Sequence, residues 1–173
     1  MIFVRLFHVS EEPNISVFVP RPVVRRDLDP AAKYVWAIDE DHLPNFLTPR
    51  NCPRVCYRVN VHTTAEDKEK YIGTSAQHVV VVEAGWLEKL KSTELYLYEF
   101  DPKDFVLQDA VAGYYVSTVT VRPIQKTKVH DLPAEIRKRG VELRTAENLH
   151  PIAEKIKKST FDWSLCRMAF AKQ

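Results

Sequence analysis

Glycine is scarce in this chain of 173 residues, with four in all, and they are too scattered to build a phosphate-cradling loop or a dinucleotide fingerprint, each of which needs several glycines at fixed offsets. P-loop and Rossmann readings are set aside on that ground. Cysteine is sparse as well. The three cysteines are an odd number, and Cys52 and Cys56 flank Pro53-Arg54-Val55, a spacing that suits neither a redox pair nor a zinc knuckle. Free buried thiols are expected, because reduced cysteine packs as a small hydrophobe. The six histidines include no pair at helical ligand spacing, so no metal site is expected. Charge of one sign is also missing. Lys and Arg number 25 against 23 Asp and Glu, a net of +2, so the chain lacks the overall field of a dedicated nucleic-acid binder and any anion site has to be local. The apolar run at Met1–His8 is broken by Arg5 and is far shorter than a signal peptide or a membrane span. A cytoplasmic protein with no membrane partner is the expectation.

What is present is 45% hydrophobic residues, enough for one compact domain over residues 1–173. Periodicity and β-branched content predict strands at Ile2–Val9, Ser16–Val19, Tyr34–Ile38, Val55–Val61, His78–Glu83, Glu94–Phe100, Phe105–Gln108 and Tyr114–Val121. Pro20, Pro22 and Pro30 make the intervening segment a loop. Helical spacing follows in Ala84–Lys91, in Leu132–Arg139 with Gly140 as the cap, and in Thr145–Lys158 with an interruption at Pro151. The charged stretch Thr63–Tyr71 reads as an exposed helix or a loop. Strands dominate the body and helices are inserted or appended rather than alternating. The expected class is therefore α+β, with a split or strongly bent, mainly antiparallel β core and flanking helices.

The chemistry concentrates in the first third. Along the first strand Leu6 and His8 share one face, and Ser10-Glu11-Glu12 ends it at a loop, where ligand groups tend to sit. A histidine there is either a satisfied core residue or a ligand-positioning group. Arg21, Arg25, Arg26, Arg50 and Arg54 fall in or beside the two proline-rich loops that flank the Trp36 strand. If those loops meet, guanidinium forks can take a phosphate or carboxylate bidentately. Arg50 stands out because Pro49-Arg-Asn-Cys-Pro53 is stiffened at both ends. Trp36 and Tyr34 offer an aromatic platform. The candidate ligand-binding set is His8, Ser10, Arg21, Trp36, Arg50 and Arg54.

The segments Phe7-His-Val-Ser-Glu-Glu12, Pro20-Arg21, Val35-Trp-Ala-Ile-Asp39, Pro49-Arg-Asn-Cys-Pro-Arg54, Gly140-Val-Glu-Leu-Arg144 and Ser164-Leu-Cys-Arg-Met168 together resemble a family of small bacterial proteins of unknown function over nearly the whole chain. At the level of fold that family is similar to the ADP-ribosyltransferase-like superfamily. The resemblance implies a split β core that holds NAD or another nucleotide in a cleft, with His8 and Ser10 matching the histidine or arginine that holds the adenosine ribose and the hydroxyl that often follows it. That superfamily normally carries a glutamate on a late strand, to support an oxocarbenium-like transition state. The matching region, Asp109-Ala-Val-Ala-Gly-Tyr-Tyr-Val-Ser117, has none. A binding module that keeps the cleft without the chemistry, an RNA 2′-phosphotransferase-like enzyme and a protein-interaction domain all stay open.

Overall fold

The computed structural model describes residues 3–173; Ile2, the first residue of the expected N-terminal strand, lies outside them. In chain order the strands are β1 (Leu6–Ser10), β2 (Arg21–Pro22), β3 (Lys33–Asp39), β4 (Arg54–Arg58), β5 (His78–Glu83), β6 (Leu95–Phe100), β7 (Val106–Asp109), β8 (Tyr114–Ser117), β9 (Gln125–Val129), β10 (Glu142–Ala146) and β11 (Asp162–Cys166). The helices are α1 (Ala65–Tyr71), α2 (Leu87–Ser92), α3 (Leu132–Lys138) and α4 (His150–Lys157). The class is α+β with mostly antiparallel sheets.

The chain forms two compact units, each assembled from two separate segments. The first takes the described residues up to Leu43 together with Leu95–Val129. It is a seven-stranded sheet in the order β7-β8-β3-β1-β6-β9, with β2 paired to β3, and every pairing is antiparallel. Its core gathers Leu6, Val35, Ala37, Phe100, Phe105 and Val121, with the Phe100 and Phe105 rings stacked 5.2 Å apart. Full burial of such side chains is worth about 1.5–3 kcal/mol each.

The second unit, Pro44–Glu94 with His130–Gln173, carries a four-stranded sheet in the order β10-β5-β4-β11. Only β5 and β10 run parallel. β5 lies between β10 and β4 with all six of its residues buried, which is why Val79–Val82 read as an unbroken apolar run. Local chemistry sets the helix ends. Thr64 Oγ1 accepts from Asp67 N at 3.1 Å to start α1, and at the other end Arg144 donates to Tyr71 O (2.8 Å) and Ile72 O (2.6 Å). Those are carbonyls that a helix C-terminus otherwise leaves open. Asp131 caps α3 at Ala134 N, and Gly140, at φ +77°, closes it as expected.

Four sequence expectations need correction. The helix predicted over Thr145–Lys158 begins only at His150, because Thr145 and Ala146 finish β10; Pro151 sits in the first turn of α4, where its missing N–H costs no bond. The strand predicted to reach Val121 stops at Ser117, whose hydroxyl accepts from Val119 N and turns the chain. Ser16–Val19 contributes only a bridge, Phe18 to Val121. The strand predicted over Val55–Val61 is β4, which starts one residue earlier and stops at Arg58.

Candidate functional site

The first unit's sheet is forked, and the fork follows from proline placement. β1 meets β3 at Leu6↔Asp39 and Phe7↔Ile38 and no further, while His8, Val9 and Ser10 continue beside β6. The N-terminal end of β3 turns instead to β2, through Arg21↔Tyr34 and Pro22↔Lys33. Pro20 and Pro22 bracket that short pairing and cannot donate to a longer ladder. β1 and β3 therefore separate, leaving a cleft of about 410 Å³. That volume lies within the ordinary range of small-molecule sites.

His8 and Ser10 of β1, Arg21 and Pro22 of β2, and Tyr34, Val35 and Trp36 of β3 line the cleft. The connection after β1 adds Glu12, Ile15, Val17, Phe18 and Val19. This connection is tied down along its length. The buried Tyr98 hydroxyl donates to Glu12 O and accepts from Ile15 N, Lys126 Nζ donates to Pro13 O at 2.7 Å, and Phe18 exchanges backbone bonds of 2.9 and 3.0 Å with Val121.

His8 packs against the Phe18 ring at 4.8 Å. Burial holds its imidazole below the usual histidine range; a hydrogen bond to the Trp36 backbone works the other way, and the positive charge of Arg21 lowers it further. At neutral pH the ring is therefore uncharged, with one nitrogen donating and the other a lone-pair acceptor. Ser10 Oγ accepts from Glu12 N at 3.0 Å, which leaves its own proton to donate. Arg21 is exposed, and its guanidinium has no hydrogen-bond or ion-pair partner among the described residues. The cleft thus offers a neutral acceptor, a hydroxyl donor and an uncompensated cation against an apolar wall of Ile15, Val17 and Phe18. Glu12 is its one acidic lining residue.

Of the six candidates read from the sequence, four line this cleft: His8, Ser10, Arg21 and Trp36. Trp36 does so from β3, but the strand's alternation sets its side chain on the opposite face from Val35, which packs with Leu6. Its indole meets Tyr34 and Tyr114 edge-on, at 5.9 and 5.5 Å. Arg50 and Arg54 belong to the second unit. Arg50 is exposed in the turn before β4, next to Asn51 at φ +64°. Arg54 is buried, its Nε donating to Asn45 O at 2.7 Å and its Nη1 to Cys52 O at 2.9 Å, above the Phe46 ring. The sequence did not single out Phe18 or Tyr98. The only signal for Phe18 was the apolar Ser16–Val19 run, and nothing local marks Tyr98, whose partners lie 83 and 86 positions away.

The three cysteines are free. Cys52 and Cys56 are buried and Cys166 partly so. Burial pushes the Cys52 thiol up to about 12 and Cys56 well above its usual value. Among the described residues no cluster of histidine, cysteine and carboxylate is placed to hold a metal ion, and no helix is long and apolar enough to cross a membrane.

Sheet and cleft together define an α+β protein with a ligand-sized fork between two antiparallel strands. Residues 7–171 match the model of a family of unknown function, DUF6886, and the chain belongs to that family. No curated protein and no solved structure matches it.

Proposed function

We propose that the fork between β1 and β3 binds a nucleotide or another phosphate-bearing ligand, with NAD among the candidates, and that the first unit is a variant of the ADP-ribosyltransferase-like fold. The observation that carries the reading is the convergence of His8, Ser10 and the unpaired Arg21 on one cleft. Arg21 takes the phosphate, where a charge-assisted forked contact is strong because its guanidinium has no ion pair with a carboxylate among the described residues. The neutral imidazole of His8 and the Ser10 hydroxyl take the ligand's hydroxyl groups, as acceptor and donor. Ile15 and Phe18 cover its flat apolar part. The reading is of binding rather than transfer: β8 and its approach lack a glutamate, and Glu99 of β6, with β3 and β1 between it and β8, is held in a forked pair by Arg5 at 2.9 Å.

Thermal-shift titration with NAD, ADP-ribose and short 2′-phosphorylated RNA tests it. A ligand that binds only the native state adds about 2.7 kcal/mol at a hundredfold excess over its Kd, so Tm rises with the true ligand. Arg21→Ala abolishes the rise and leaves the unliganded Tm in place. A response to phosphorylated RNA alone favours a phosphotransferase-like site. No response to any of them at millimolar concentration overturns the nucleotide reading and leaves a protein-interaction domain.

A further inference from the structure

The face of β3 opposite Val35 carries a second arrangement, which shares Trp36 and Tyr34 with the lining of the cleft. Trp36 and Tyr114 stand ring to ring at 5.5 Å and 81°, and Tyr34 closes on Trp36 at 5.9 Å and 90°. Edge-to-face packing fixes these rings against one another, and aromatic faces held in place in this way can hold a cation. A cation is there already. The Arg25 guanidinium carbon lies 5.9 Å from the Trp36 ring and 5.9 Å from the Tyr114 ring. Asp109, at the end of β7, adds favourable charge.

Arg25 comes from the exposed segment between β2 and β3. The bonds that hold this segment run within it: Val23 N to Ala32 O, Ala31 N to the Asp29 side chain, and the forked pair of Arg25 with Asp27 at 3.0 and 2.6 Å. Val24 beside it is 96% exposed. The occupant is thus delivered by a self-contained loop that can leave without breaking the sheet's ladders.

We propose that the Trp36–Tyr114 faces and the Asp109 carboxylate form a site for the guanidinium of an arginine in a partner peptide, and that Arg25 fills it as an internal stand-in. Arginine is favoured over a quaternary ammonium because the resident group is a guanidinium, whose plane stacks on rings while its edge pairs with carboxylates.

The test is titration of acetyl-Gly-Arg-Gly-amide, read by tryptophan fluorescence, into the wild type and Arg25→Ala. The variant should bind about tenfold more tightly than the wild type, since it no longer competes with itself. Trp36→Phe in the Arg25→Ala background, titrated by calorimetry because the reporting indole is gone, should weaken binding, and the same peptide with lysine should bind more weakly. Asp109→Asn, which can still accept from Val111 N and Ala112 N, should weaken binding several-fold and decides the matter if the Trp36 variant does not fold. Equal affinity in wild type and Arg25→Ala, or binding indifferent to Asp109→Asn, overturns the proposal.

Discussion

A Cβ at Gly113 would collide with Nδ1 of His42. The backbone and the imidazole are that close because His42 is fixed at both ends of its reach: its Nδ1 lies 2.7 Å from Asp39 Oδ1, its own N–H donates to the same oxygen at 2.8 Å, and Asp39 N donates to Gly113 O at 3.0 Å.

Gly113→Ala should therefore lower stability by about 1–3 kcal/mol, the usual cost of forcing atoms into a packed site, plus the strain of φ +73° for an L-residue. Urea denaturation measures it. In a His42→Ala background the same substitution should cost distinctly less, since the clash is gone and only the backbone strain is left; an undiminished cost would show that the ring is not the obstacle.

Arg54 and Arg21 should separate folding from binding. Arg54→Ala removes the buried guanidinium that donates to the Asn45 and Cys52 carbonyls and should destabilise by about 2–4 kcal/mol, whereas Arg21→Ala should leave the stability within about 0.5 kcal/mol of wild type. Chemical denaturation of both variants checks the contrast.

His8 should tie stability to pH. Its folded pKa lies below the ordinary value of 6.5, so between the two values the unfolded chain holds more protons than the folded one. Its contribution is fully present above 6.5 and is lost as pH falls from there toward the lowered value, below which it levels off. His8→Gln should flatten that part of the stability profile, measured as urea midpoints across mildly acid to neutral pH; a slope retained in the variant would place its source elsewhere.

Thiol reactivity should single out Cys166. In the native protein a maleimide should label that residue rapidly and leave Cys52 and Cys56 unmodified, because the thiolate is the reactive form and burial suppresses it at both. All three should react in denaturant, and mass spectrometry of the labelled peptides gives the count.

Much of the strand order was legible because β5, β6 and β3 carry β-branched or aromatic runs bounded by turn residues, and α3 is framed by Asp131 and Gly140. β9 was not. Gln125-Lys-Thr-Lys128 is exposed throughout, so it leaves no hydrophobic pattern to read. The β10–α4 boundary was lost for a similar reason: Glu142–Ala146 is half-buried and polar, and only its pairing with β5 makes it a strand. His8, Ser10 and Arg21 could be named because a strand end and a proline-bracketed loop are local features. The fork that joins them could not, since it depends on which strands pair at positions far apart in sequence. Arg54 shows the converse: a stiff, proline-flanked arginine looks ligand-ready, yet its fork serves the backbone of its own loop.

Both units are discontinuous in sequence, and this governs how the chain can be made. β1 takes its place beside β6 through contacts such as Arg5 to Glu99, 94 positions apart, and β5 waits for β10 to complete its parallel pair. On a ribosome, the first ninety or so residues emerge with one edge of β1 and one edge of β5 both unmatched. Closing such long loops is entropically slow, and open edges meanwhile invite pairing with other chains. Expression yield should therefore respond to growth temperature and chaperone supply more than the stability of the finished protein would suggest, and a fragment ending near Thr93 would contain neither unit whole.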